Sequence, residues 1–214
     1  MFLETSDKVK VAYDYYPALR ATGYLVLVHM MPATKESWKE FAEQASAEGF
    51  SAIAIDLRGH GQSQSGPNGY EAFADEEHQQ SMKDLEAAVE FLKTQGASPE
   101  NITLIGASIG ANLCLWFLAE HPEFKKAVLL SAGESYRGIK APPLLVRLSA
   151  GQSLLMFASE DDIRNGASNA DINKRLAEAV PEKVNKKLVV YPTGGHGTAY
   201  LEKAVPVILD FLKT

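Results

Sequence analysis

The chain has 214 residues, 46% apolar and 22% charged, a balance that excludes disorder by composition. Its net charge of -6, with both signs mixed along the sequence, lacks the clustered Lys and Arg that a nucleic-acid or anionic-membrane surface requires. The single cysteine, Cys114, excludes an internal disulfide, and no stretch approaches the roughly 20 apolar residues of a membrane span.

This length predicts a single domain, 1–214, with one sizeable core. The opening MFLETSDKVK has no positively charged region followed by an apolar one, so no signal peptide is expected and a cytoplasmic protein is. Residues 2–5 and 9–16 read as two strands of an antiparallel edge. YLVLVH, 24–29, is a continuous apolar run suited to a strand buried on both faces. A helix over 34–48 follows, with Trp38, Phe41, Ala42 and Ala45 on one face, then a strand over 51–55 and a Gly-rich segment, Arg58 to Gly69. Met82, Leu85, Ala88, Val89 and Leu92 repeat three or four apart in a long helix over 75–95. Next come a strand over 102–105, an apolar helix over 108–120, a strand over 126–130 and an irregular stretch, Gly133 to Gly151. The order closes with a strand over 153–158, a helix over 169–180, a strand over 188–191 and a helix over 198–213. Alternation of this kind predicts an α/β fold, a mostly parallel sheet of about seven or eight strands with helices on both faces. Ligands of such sheets bind at the carboxyl ends of the strands.

Four groups of residues fall at those ends. Gly106-Ala107-Ser108-Ile109-Gly110 follows the strand ITLIG and opens the helix SIGANLCLWFLAEH. A serine hydroxyl attacks well only when exposed and paired with a base, and a sharp strand-to-helix turn flanked by glycines exposes it. His196, in the Gly-rich loop after the last strand, is the candidate base. A carboxylate is needed to hold the imidazole, and the strand SLLMFA ends in Ser159-Glu160-Asp161-Asp162, where Asp161 and Asp162 both qualify. Glu160 is expected to face solvent. His29-Met30-Met31-Pro32 follows the strand YLVLV, and the backbone N–H groups of Met31 and Ile109 are the candidate oxyanion donors.

The segments LVLVHMMP, IDLRGHGQS, IGASIGAN, FASEDD and GGHGT resemble, in order and spacing, the α/β-hydrolase superfamily of esterases, dienelactone-hydrolase-like enzymes and related lipases. The resemblance spans nearly the whole chain. It implies a catalytic order of Ser108, acid, His196, and favours Asp162 over Asp161 as the acid. It also implies that His60, in Asp56 to Ser63, is architectural and that His29 shapes the oxyanion loop. Met30 departs from the pattern, since glycine often follows that histidine in the family.

The family usually inserts a cap after the sixth strand, and here only Glu134 to Gly151 occupies that space. A minimal cap implies a shallow, open site suited to short or planar acyl groups. The expected activity is that of a carboxylesterase acting on a small-molecule ester through an acyl-enzyme, without cofactor or metal, as a monomer or homodimer and with no nucleic-acid or membrane partner. A thioesterase, another acyl hydrolase or a peptidase of the same fold is the alternative. A non-catalytic binding protein that keeps the fold is a further one. Of the remaining residues, Cys114, Trp116 and Phe117 read as core, and His78 and His121 as surface. Lys183, Lys186 and Lys187 read as a solvated helix-to-strand turn.

Overall fold

A computed structural model describes residues 1–63, 69–164 and 166–214. Eight strands form one sheet: β1 (Phe2–Glu4), β2 (Lys10–Tyr16), β3 (Gly23–Val28), β4 (Phe50–Ile55), β5 (Ile102–Ala107), β6 (Lys126–Leu130), β7 (Ser153–Ser159) and β8 (Asn185–Tyr191). Their spatial order is β1-β2-β4-β3-β5-β6-β7-β8. The β1–β2 and β2–β4 pairs are antiparallel and all others parallel, as the alternating pattern and the two N-terminal strands predict.

Both sheet faces are covered, which is why β3, β4 and β5 are buried at every position and apolar but for Ser51 and Thr103. On one face lie α3 (Met82–Thr94), α4 (Ile109–Glu120), α5 (Ala141–Leu145) and α6 (Asn169–Ala179); on the other lie α1 (Lys39–Ala47) and α7 (Leu201–Leu212). Among the described residues no helix is long and apolar enough to cross a membrane.

Several predicted elements differ in detail. The helix expected over 75–95 is broken into α2 (Asp75–Gln79) and α3. Three-residue turns, Ser81 N–H to His78 C=O at 3.1 Å and Lys83 N–H to Gln80 C=O at 3.0 Å, tighten the chain between them. This tucks the ring of His78 inward against Phe73, so His78 is buried rather than a surface residue. Trp116 is only partly buried, lining a cleft of about 300 Å³ with Lys140 and Arg147, whereas Phe117 and Cys114 are core. His121 is partly exposed and stacks on Phe117 at 4.3 Å.

The last strand begins three residues earlier than expected, so Lys186 and Lys187 lie on the sheet edge rather than in a turn. Lys186 caps α6, donating to the carbonyls of Ala177 (2.6 Å) and Val180 (3.0 Å). Of the predicted Gly-rich segment, residues 64–68 lie outside the described residues. Gly133 to Gly151, expected as irregular, holds a two-strand hairpin (135–136 with 139–140) and α5. Buried Asn112 on α4 pins it, donating to the carbonyls of Gly133 and Ile139 at 2.9 Å each and accepting from Gly133 N–H at 3.0 Å.

Candidate active site

The parallel register brings the strand ends into one row. Val28 is level with Gly106, Ala107 with Leu130, Leu130 with Phe157, and Ser159 with Tyr191. Residues immediately after β3, β5, β6, β7 and β8 therefore emerge along a common rim.

Ser108 stands between β5 and α4 with φ 54° and ψ -118°, a backbone conformation that side chains other than glycine seldom adopt. The surrounding chain holds it there. Its N–H donates to Leu130 C=O at 2.8 Å, and its own carbonyl accepts from Ala111 and Asn112 at the start of α4. The flanking glycines are dictated by close approach. A Cβ on Gly106 would lie 2.2 Å from the Gly110 carbonyl oxygen, and one on Gly110 would lie 2.4 Å from that of Val28. The G-x-S-x-G spacing thus lets β5, the first turn of α4 and the end of β3 converge. Ile109 is the first residue of α4, and its N–H has no acceptor within the helix.

His196 follows β8 in the loop 193–197. Its Nδ1 is 2.5 Å from Oδ2 of Asp162, both side chains being nearly buried. Asp161 does something different: its carboxylate accepts from the N–H groups of Gly194 (3.0 Å) and Gly195 (3.0 Å), with the Ser159 hydroxyl at 2.7 Å. Those donors hold its carboxyl below the usual carboxylate range. The two adjacent aspartates thus divide the work, one on the ring and one on the loop that carries it. Glu160 is exposed. Gly197, the next residue after His196, is wedged between the Ser108 turn and the Met30–Met31 loop: a Cβ there would meet Met30 Sδ at 2.5 Å and Ala107 Cβ at 3.5 Å. Tyr136, from the hairpin after β6, meets the His196 ring edge-on at 6.3 Å between centroids. It is a rim residue that periodicity does not reveal.

His29 is fully buried at the start of the Met30–Met31 loop. Its Nε2 accepts from Leu57 N–H at 2.9 Å, so its Nδ1 carries the proton and donates to Met30 C=O at 2.9 Å. The Met30–Met31 peptide is trans, so fixing that carbonyl also fixes the Met31 N–H, which points the opposite way. His60 is buried too, stacked on Tyr70 at 3.9 Å and edge-on to His29 at 4.9 Å.

Burial pulls the pKa of His29 down to about 3 and that of His60 down to about 4, and lowers that of His78. An unfolded chain takes up these protons near pH 6.5, whereas the folded one refuses them until lower pH. Their contribution to stability is therefore present above pH 6.5 and lost as pH falls toward 4. Asp84, pushed up to about 6 by burial, works in the opposite direction between 3.8 and 6. Asp56, whose carboxyl burial also raises, acts with Asp84, and the balance predicts a net loss on the order of 1–2 kcal/mol between pH 7 and pH 5. Urea titrations at the two pH values check it, and an unchanged or higher midpoint at pH 5 would sink it.

Among the described residues no cluster of three or more His, Cys, Asp or Glu side chains could hold a metal ion. A family model for the alpha/beta hydrolase fold matches residues 23–151. The chain is 30% identical over 169 residues, 77% of its length, to the bifunctional esterase/perhydrolase DCH of Acinetobacter calcoaceticus. That match covers 53% of the relative, so the chain spans about half the length of the curated protein it resembles. In fold it is similar to DcsB, solved in complex with its substrate analogue (TM-score 0.84, 16% identity, covering 100% of this chain and 98% of that one). It is similar as well to Est1E from Butyrivibrio proteoclasticus with ferulic acid bound (TM-score 0.80, 15% identity, covering 100% and 98%).

Proposed function

The chain belongs to the α/β-hydrolase fold family, and we propose that within it this protein is a serine hydrolase that cleaves small carboxylic esters. The observation that carries the reading is the strained turn at Ser108 on the same rim as the His196–Asp162 pair. Strain at a buried strand-to-helix junction persists only where the surroundings enforce it, and such positions cluster at functional sites.

In this reading His196 Nε2 takes the Ser108 proton as Oγ bonds to the carbonyl carbon of the ester. The N–H groups of Met31 and Ile109 hold the oxyanion. Asp162 keeps the proton on Nδ1, leaving Nε2 as the base, and stabilises the imidazolium. His196 then passes its proton to the departing alcohol as the C–O bond breaks. Water, deprotonated by the same imidazole, hydrolyses the acyl-serine and regenerates the free hydroxyl. The short hairpin and α5 in place of a large cap support small or planar acyl groups. DCH, an esterase by name, supports ester chemistry from the side of relatedness.

Incubation with a fluorophosphonate followed by mass spectrometry is expected to find the label on Ser108. A series of p-nitrophenyl esters is expected to show kcat/KM falling from acetate toward decanoate. An unlabelled Ser108 would overturn the mechanism, and a preference for decanoate would overturn the substrate class.

A further inference from the structure

Backbone strain recurs at a serine outside the proposed chemistry. Ser131 follows β6, is fully buried and has φ 52°, a left-handed conformation uncommon for any residue with a side chain. Its Oγ lies 2.9 Å from Gly197 N and 2.8 Å from the Tyr200 hydroxyl, which in turn lies 3.1 Å from Phe157 C=O. An amide N–H only donates and a carbonyl only accepts, so one direction satisfies every group. Gly197 N–H donates to Ser131, the Ser131 hydroxyl to Tyr200, and the Tyr200 hydroxyl to Phe157.

Both ends of this chain are informative. Phe157 lies within β7 and Tyr200 is buried in the core, so one end is anchored in the rigid frame. The other end is the backbone of the residue after His196, which packs against Ala107, the neighbour of Ser108. We propose that Ser131 is a positioning residue for His196: through its hydroxyl it fixes the C-terminal side of the histidine loop relative to the Ser108 turn. Asp161 holds the N-terminal side through Gly194 and Gly195. With both flanks held, the imidazole approaches Ser108 without a search, and displacement by about 1 Å is enough to lower a rate about 100-fold.

The inference rests on the serine-hydrolase reading and is tested with Ser131→Gly and Tyr200→Phe. Glycine accepts the positive φ but leaves the buried Gly197 N–H without its acceptor, so Ser131→Gly is expected to fold and to melt somewhat below the native protein. Its kcat on p-nitrophenyl acetate, and its rate of fluorophosphonate labelling at Ser108, are expected to fall about tenfold or more with KM within about twofold. Tyr200→Phe leaves the Ser131 proton without its acceptor, and a smaller loss of kcat, about three- to tenfold, is expected. Native kcat in folded Ser131→Gly overturns the inference, as does a loss that only tracks a smaller folded fraction. Should Ser131→Gly not fold, native kcat in Tyr200→Phe overturns it instead. Fast labelling of native and variant alike overturns this inference alone, whereas an unlabelled native Ser108 overturns the underlying reading with it.

Discussion

Ser108→Ala is expected to lower kcat for ester hydrolysis by about 10⁴-fold or more, the loss seen when a serine nucleophile that works as a unit with its base is removed. Cys114 does not substitute for it, being buried six residues along α4, where burial raises its thiol pKa far above neutrality. Ser108→Gly separates chemistry from architecture. It too is expected to be inactive, yet it relieves the φ of 54° and should stabilise the fold by about 1 kcal/mol. Steady-state assays with urea melts check both. Residual activity within about 100-fold of native in Ser108→Ala would remove Ser108 from the mechanism. A Ser108→Gly protein less stable than native would mean that the turn is not strained.

Arg58→Ala is expected to produce the largest loss of stability, about 3–5 kcal/mol, because it strands a buried carboxylate. Arg58 is 5% exposed and Asp84 fully buried. Asp84 accepts from Arg58 Nε (3.0 Å), from its guanidinium NH2 (2.8 Å) and from its backbone N–H (2.8 Å). The far side of the guanidinium binds Asp7 at 2.8 Å, and that arginine holds the Asp7 carboxyl well below its ordinary range. One side chain thereby ties the turn after β4 to α3 and to the β1–β2 hairpin. The asymmetry gives the test its edge. Replacing both partners with apolar groups, Arg58→Met with Asp84→Leu, removes the desolvation cost and should recover most of the loss. Urea denaturation decides: a single variant within about 1 kcal/mol of native, or a double variant no better than the single, would refute the account.

The sheet is legible in the sequence because the buried strands are short, mostly apolar runs that alternate with helices, whose apolar residues recur three or four apart in α1 and α3 and run almost unbroken in α4. The Ser108 turn is legible because its two glycines answer to close approach: a Cβ on either would come within 2.5 Å of another backbone oxygen. What stays hidden depends on tertiary context. Asp161 and Asp162 are neighbours of one type, and only the fold sends one to the imidazole and the other to the loop amides. The break at Gln80–Ser81 precedes Met82, where the apolar spacing begins, and the polar run 75–81 gives periodicity nothing with which to mark it. His78 is polar by type and buried by packing. Lys186 resembles any solvated lysine until α6 is placed beneath it. Ser131 carries no motif at all, since nothing in a residue name reports a positive φ.

The excursion between β6 and β7 has a further meaning. It leaves and rejoins neighbouring strands of the frame, and Asn112 fastens it at Gly133 and Ile139, so the two residues between its short paired strands, Arg137 and Gly138, form an exposed tip. Lengthening a flexible loop adds only about 0.6 kcal/mol per doubling. Lineages could therefore graft lids of many sizes at this tip, diversifying what is recognised while the row of strand ends beneath stays unaltered.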